Sequence, residues 1–219
     1  MTAEEFVQEL EARNQELLRR LEPDDTLKPE VEGDLTIVNL LKVALKNEIE
    51  ASEIAARWMV TTDEVDVKLA FARQVGDEAK HYRLIVDRLR ELGFDARTFN
   101  PLAKGYGPLF EYLRTLTTTV ERAAAGQFTR EAIAVVKNSQ FIEFCGRAGD
   151  HATAALYREI IEPDERYHHQ LGRTILLRYA TTREAQEAAA RAAARTLELA
   201  EDLQAMALKT AGIHHAPGC

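Results

Sequence analysis

The sequence predicts an all-α protein: an antiparallel four-helix bundle of two hairpins joined by one crossover, with an extra helix at each end. Three observations predict it. Helical periodicity fills the chain between a few clusters of Gly and Pro. The connections within each half are short, while the one between halves is long. The pattern Asp-Glu-x-x-His occurs once in each half, at Asp77-Glu78-Ala79-Lys80-His81 and Asp164-Glu165-Arg166-Tyr167-His168.

In chain order, residues 3–22 read as a charged amphipathic helix ended by Pro23-Asp24-Asp25. A first bundle helix runs from about Leu35 to Met59. Thr61-Thr62-Asp63 supplies caps for a second, which continues to about Leu92 and stops at Gly93. Residues 93–108 hold two prolines and three glycines and are long enough to cross the bundle. A third helix is expected from about Leu109 to Arg147. Gly149-Asp150 breaks it, and Asp150 caps a fourth that ends near Ala180. Thr181-Thr182 opens a fifth, Ala-rich helix to about Lys209, suited to packing across a homodimer. The last residues, His214-His215-Ala216-Pro217-Gly218-Cys219, read as frayed. The domain division is therefore 1–34 for the N-terminal helix and linker, 35–180 for the bundle, and 181–219 for the C-terminal helix and tail.

Composition removes several function classes. The formal net charge is −8, with no basic stripe to neutralise phosphates, so no nucleic-acid partner is expected. No apolar run approaches a bilayer span, and Met1-Thr-Ala-Glu-Glu lacks the features of a signal peptide, so a cytoplasmic protein without a membrane partner is expected. Two cysteines, Cys145 and Cys219, form no Cys-x-x-Cys pair and leave no four-cysteine iron or zinc module.

The repeated motif carries the chemistry. Residues three apart share a helix face, so each Glu and His project together and can grip one metal ion. A dinuclear site needs one more carboxylate from each plain helix. On the first, Glu48 falls in the apolar stripe of Leu41, Ala44, Leu45, Ala51, Ala55 and Met59. Glu50 and Glu53 share the opposite side with Lys46, Asn47 and Arg57. A carboxylate among apolar residues is costly unless paired or metal-bound, which singles out Glu48. Glu78 sits among Val67, Phe71, Val75 and Ile85, and Glu165 with Ile161, Gly172 and Leu176. On the third helix Glu131 lies with Phe128, Ala134 and Val135. Glu121 is its rival, about 15 Å away along a helix, and Glu143 is a weaker one. Counting from the Asp150 turn favours Glu131. The expected ligands are Glu48, Glu78, His81, Glu131, Glu165 and His168, with Glu78 and Glu165 as bridges. Four carboxylates neutralise two divalent ions, and a mixed oxygen and nitrogen set suits iron or manganese over zinc.

Other residues have weaker readings. Asp77 and Asp164 are expected to accept the imidazole N–H of the opposite motif, Asp77 from His168 and Asp164 from His81, because a ligating His usually has such a partner. Pro163, inside the fourth helix, is expected to bend it or to open a π-bulge. Glu162 is an extra candidate that reads as a surface charge. Ala123-Ala124-Ala125-Gly126 reads as close helix packing, with room for substrate as the alternative. Tyr82 and Tyr167 flank the ligand histidines and read as packing, with a redox role as the alternative. His151 reads as structural, and His169 is assigned no role. His214 and His215 are expected to trap metal adventitiously.

At these residues the chain resembles the ferritin-like superfamily of di-iron carboxylate proteins, over about residues 36–180. Ala44-Leu-Lys-Asn-Glu48-Ile-Glu-Ala-Ser is similar to the first ligand helix of bacterioferritins and aldehyde-deformylating oxygenases. Gly76-Asp-Glu-Ala-Lys-His81 and Pro163-Asp-Glu-Arg-Tyr-His168 match their Glu-x-x-His helices. Glu121-Arg-Ala-Ala-Ala-Gly-Gln-Phe-Thr-Arg-Glu131 resembles the third ligand helix of rubrerythrins, with Glu131 about one position off. Ferritins generally lack the second Glu-x-x-His, bacterioferritins are shorter and use a Met for haem, and rubrerythrins carry a rubredoxin module. Asp before both Glu residues resembles bacterial di-iron monooxygenases, and the size and extra C-terminal helix resemble phenylacetyl-CoA epoxidase subunits and small di-iron oxygenases. The resemblance implies an O2-activating di-iron oxidase or oxygenase with two Fe ions, manganese or a mixed Mn/Fe pair being the alternative. Its partners would be O2, a small organic substrate and an external electron donor, a reductase or a ferredoxin. The other expectations are a ferroxidase, peroxidase or manganese catalase, and a metal-free scaffold subunit of a larger oxygenase.

Overall fold

The computed structural model describes residues 1–19, 35–211 and 217–218. All regular structure among these residues is helical. Seven helices follow one another: α1 Ala3–Leu18, α2 Ile37–Thr61, α3 Val65–Glu91, α4 Pro108–Leu113, α5 over 119–147, α6 over 151–179, and α7 Arg183–Ala211. Two of them contain wide turns of π-helix, Ala124–Arg130 in α5 and Tyr157–Ile161 in α6. The expected end of the first helix near Pro23, and the roles of His214, His215 and Cys219, lie outside the described residues.

The order of buried residues along each long helix reveals the arrangement. One apolar layer contains Ile54 and Trp58 of α2, Phe71 of α3, Phe128 of α5, and Ile175 and Leu176 of α6. A second contains Leu41 and Leu45 of α2, Ile85 and Leu89 of α3, Phe141 and Phe144 of α5, and Tyr157 of α6. Thus α2 and α6 run from the second layer to the first, and α3 and α5 run the other way. Each consecutive pair is antiparallel, closed by residues 62–64 and 148–150. Because α3 and α5 are parallel, the chain between them must return along the molecule. The arrangement is all-helical and compatible with a four-helix bundle. Each fully buried Leu or Phe in these layers contributes about 1.5–3 kcal/mol.

The returning segment is strapped to the outer side of α2. Lys46 Nζ donates to Gly105 O at 2.8 Å, Gly107 N donates to Glu50 Oε1 at 2.7 Å, and Tyr106 Oη donates to Glu53 Oε2 at 2.6 Å. Glu50 and Glu53 therefore have work outside the core, as their place opposite the apolar stripe suggests.

The helix ends show which local signals prevail. Asp150 accepts from Thr153 N at 2.9 Å and caps α6. Gly93 ends α3 with φ +83°, a left-handed value that glycine adopts without strain. Two expectations need correction. The long third helix is two helices, because Thr115-Leu-Thr-Thr interrupts it. There Thr118 and Glu121 form a reciprocal capping box that starts α5. Nor do Thr61-Thr62-Asp63 cap α3: Glu64 stands at its N-cap and makes no side-chain capping bond, its carboxylate accepting instead from Thr119 Oγ1. Instead Thr61 Oγ1 donates to Arg57 O, and Thr62 Oγ1 accepts from buried Arg122.

The outer helices close the first layer. α1 inserts Phe6, Val7 and Leu10, and α7 lays Ala189, Ala192 and Ala193 against the first half of α5. This part of the Ala-rich stripe is thus used within the chain. The tail differs from expectation as well: Asn47 Nδ2 donates to Pro217 O and Gly218 N donates to Asn138 Oδ1, both at 2.9 Å, so Pro217 and Gly218 are pinned, not frayed.

Candidate metal centre

Between the two apolar layers lies a polar layer supplied by α2, α3, α5 and α6. α2 gives Glu48, α3 gives Glu78 and His81, α5 gives Glu131, and α6 gives Glu165 and His168. All six are at least 97% buried. They form two groups whose ligand atoms lie within 4.8 Å of one another: Glu48, Glu78, His81 and Glu165, and Glu78, Glu131, Glu165 and His168. Glu78 and Glu165 are common to both, the position a bridging carboxylate would take.

The two imidazoles are placed alike. His81 Nδ1 lies 3.3 Å from Glu48 Oε2, 3.4 Å from Glu78 Oε2 and 3.8 Å from Glu165 Oε1. His168 Nδ1 lies 3.4 Å from Glu165 Oε2 and 3.6 Å from Glu78 Oε1. Each Nε2 turns away to the aspartate of the opposite motif, His81 to Asp164 at 3.0 Å and His168 to Asp77 at 3.1 Å. A carboxylate can only accept there, so Nε2 carries a proton and Nδ1 is the nitrogen available to an ion. This is the crossed pairing that the repeated motif leads one to expect. Asp164 is also ion-paired to Lys80, and Asp77 to Arg73.

Four carboxylates this close and this dry cannot all remain charged alone. Burial raises Glu48 to about 7 against the opposing pull of His81. Burial and the neighbouring Glu78, Glu131 and Glu48 push Glu165 well above the carboxylate range. Glu78 goes the other way: burial disfavours its charge, but His81 and His168 outweigh it and hold the group well below the usual range. Burial likewise opposes charge on His81, but Glu48 and Glu78 raise it to about 12. Asp77 and Glu78 raise His168 against the same cost. Without an ion the cluster is held together by protons, which any cation entering it must displace.

Two further residues belong to this layer and were missed by the sequence reading. Gln74 is buried where Val75 was expected to face inward. Its Nε2 donates to Glu131 Oε1 at 2.7 Å and to Glu78 Oε1 at 3.1 Å. Arg130 is buried beside Glu131 and donates to the same Oε1 at 3.0 Å. Gln74 stands one helical turn before Glu78, which is a signal of spacing. Arg130 has none, because on a regular helix it would face about 100° away from Glu131.

The π-segments explain how the ligand turns are aimed. The wide turn Ala124–Arg130 ends at Glu131 and carries it into the cluster. Tyr157–Ile161 immediately precedes Glu162-Pro163, where proline lacks the N–H that a regular turn would use. The bulge expected near Pro163 is therefore present, just before it. Ala123, Ala124, Ala125 and Gly126 are all buried, and a Cβ on Gly126 would come within 2.7 Å of the Trp58 ring. Those small residues serve close packing.

The remaining candidates fall outside the centre. Glu121 is half-buried in its capping box, and Glu143 is exposed and paired with Arg147. Glu162 is buried, not a surface charge, bound by Arg166 and by Ser139 Oγ at 3.3 Å. Tyr167 is 39% exposed beneath the Arg73 guanidinium, and Tyr82 is half-buried against the second layer. His151 is exposed, so it has no role in the core. His169 stacks on Phe128 and donates from Nδ1 to Phe128 O at 2.7 Å, a backbone oxygen of the π-segment.

Neither the family models, nor the curated proteins, nor the solved structures compared with this chain give a match. The functional reading therefore rests on the site. Its residues fit a metal ion: His81 Nδ1 and Glu131 Oε2 are enclosed and have no hydrogen-bond partner, although buried polar atoms are normally satisfied. Among the described residues, no helix is long and apolar enough to cross a membrane.

Proposed function

We propose that this protein is an O2-activating di-iron oxidase or oxygenase with a ferritin-like four-helix bundle, acting on a small organic substrate. The observation that carries the reading is the pair of four-residue groups sharing Glu78 and Glu165, each with one imidazole Nδ1 turned inward. Glu48 and His81 would hold one ion, Glu131 and His168 the other, and Glu78 and Glu165 would serve both. Hard carboxylate oxygens with two imidazoles favour iron or manganese. Bound there, the metal pair would supply electrons to O2, chemistry that no side chain of the cluster performs.

The chain's own contribution is positional and electrostatic. Asp77 and Asp164 fix the tautomer and ring orientation of the two histidines. The apolar layers on both sides keep water from the centre, which strengthens every charge interaction inside it. Four carboxylate charges balance two divalent cations, so the loaded cluster loses the repulsion that protons relieve in its absence. The two cysteines form no redox module, so an external electron donor is part of the proposal.

The deciding experiment is the metal content of the full chain with His214 and His215 replaced by Ala, measured after anaerobic loading with Fe(II) and Mn(II) together. About two iron ions per chain support the oxygenase reading. Two manganese ions, together with catalase activity, would move it to the manganese catalase reading. No bound metal would refute the metal centre and leave a scaffold with a polar core.

A further inference from the structure

Glu131 differs from the other carboxylates in its surroundings. Its Oε1 accepts from both Gln74 Nε2, at 2.7 Å, and Arg130 Nη1, at 3.0 Å. Its Oε2 is enclosed and has no hydrogen-bond partner. Glu48, its counterpart on α2, is clamped by no amide or guanidinium among the described residues and faces His81 Nδ1.

Neither donor is free to move. Gln74 Oε1 accepts from Gln127 Nε2 at 2.6 Å, so the amide cannot turn over: its nitrogen must face Glu131 and Glu78. Arg130 is 6% exposed and is further tied to Asn47 O on α2 at 3.4 Å. A buried guanidinium beside a buried carboxylate is held firmly, because separating them leaves each charge without compensation.

We propose that Gln74 and Arg130 are positioning residues that commit Glu131 to one oxygen. Oε1 belongs to the protein, and Oε2 alone is offered to an ion in the Glu78, Glu131, Glu165 and His168 group. This rests on the metal-centre reading above. An ion held by Glu131 would then take one oxygen from it instead of two, which would leave room there for an added ligand.

Co(II) is a suitable probe, because its visible absorption weakens as its coordination number rises. The full chain with His214 and His215 replaced by Ala is titrated alongside the same chain carrying Gln74→Met or Arg130→Met, each checked for folding by circular dichroism. The reference chain is expected to bind two ions. Each variant should bind the ion of the Glu131 group about 10–100-fold more weakly. The other ion should change by less than about threefold in Arg130→Met, and by a clearly smaller factor than the first in Gln74→Met, where the bond to the shared Glu78 is lost as well. The bands of the weakened ion should also lose intensity, as Glu131 becomes free to offer both oxygens. Equal weakening of both ions, or unchanged bands and affinities, in a folded variant overturns the proposal. If Arg130→Met does not fold, Gln74→Met decides alone. A reference chain that binds no Co(II) would instead overturn the metal-centre reading itself.

Discussion

The six inward side chains are not equivalent, and their differences are measurable. Glu78 is shared by both ligand groups, whereas His168 belongs to one. Glu78→Ala should therefore lose both ions and His168→Ala only one, as read by metal analysis of the purified, folded variants. Two ions retained in both would refute the assignment. Asp77→Asn and Asp164→Asn leave the ligands in place but disturb the tautomer they set, and each should weaken metal binding by about 10–100-fold. Protons compete with metal here, because Glu48 titrates near 7 and His81 near 12 in the metal-free cluster. Apparent metal affinity should fall as pH falls through about 7, and loading a weakly buffered sample should acidify it. A pH-independent affinity would contradict the buried-cluster account.

Among the elements, α5 and α6 carry the decisions that matter for the site. Gly172 of α6 lies so close to α5 that an added Cβ would sit 2.5 Å from Phe128 N. That contact is with backbone, which cannot rotate away. Gly172→Ala should destabilise the chain by about 1–3 kcal/mol, seen in urea unfolding, and should disturb Glu131 through the adjoining π-segment. At the start of α6, Asp150→Ala removes a cap and should cost about 1–2 kcal/mol. The Asp150 carboxyl is also held below its ordinary value: burial opposes its charge, but Thr153 and Arg88 prevail. A depressed folded pKa contributes stability above the unfolded value of 3.8, lost as pH falls through the lower folded value. The difference in stability between the parent and Asp150→Ala should thus shrink in acid.

For the molecule as a whole, the polar layer sets stability against function. Without metal, Glu48 and His81 both bind protons more tightly folded than unfolded. The stabilisation from Glu48 is lost as pH rises from 4.5 to about 7, and that from His81 as pH rises from 6.5 toward about 12. The Tm of the metal-free protein should accordingly drop as pH rises above neutrality, and the metal-loaded protein should lack that drop. An ion held at one hundred times its Kd adds about 2.7 kcal/mol. For a chain of this size that is roughly a 5–10 °C rise in Tm, reversed by a chelator. A Tm indifferent to metal would count against the site.

Much of this was legible in the sequence because it depends on period and spacing. The stripe on α2 placed Glu48 inward, since a helix that buries Leu41, Leu45 and Ala55 must bury what lies on the same face. The repeated Asp-Glu-x-x-His set each Glu beside its His and each Asp at the edge of that face. Asp150 and Gly93 marked their helix ends through local backbone chemistry. The tertiary structure alone decided what departs from a regular period or joins distant segments. The π-turn before Glu131 brings Arg130 inward as well, and no regular helix predicts two consecutive buried residues of that kind. Gln74 faces inward because Glu131 and Gln127 of α5 wait there to bond it, a pairing across more than fifty residues. The Ala-rich stripe of α7 was evident, but whether it met this chain or another depended on α5 offering a matching surface. A helix's own sequence determines which face it must bury; its partners determine against what, and only they could bring four carboxylates to one place.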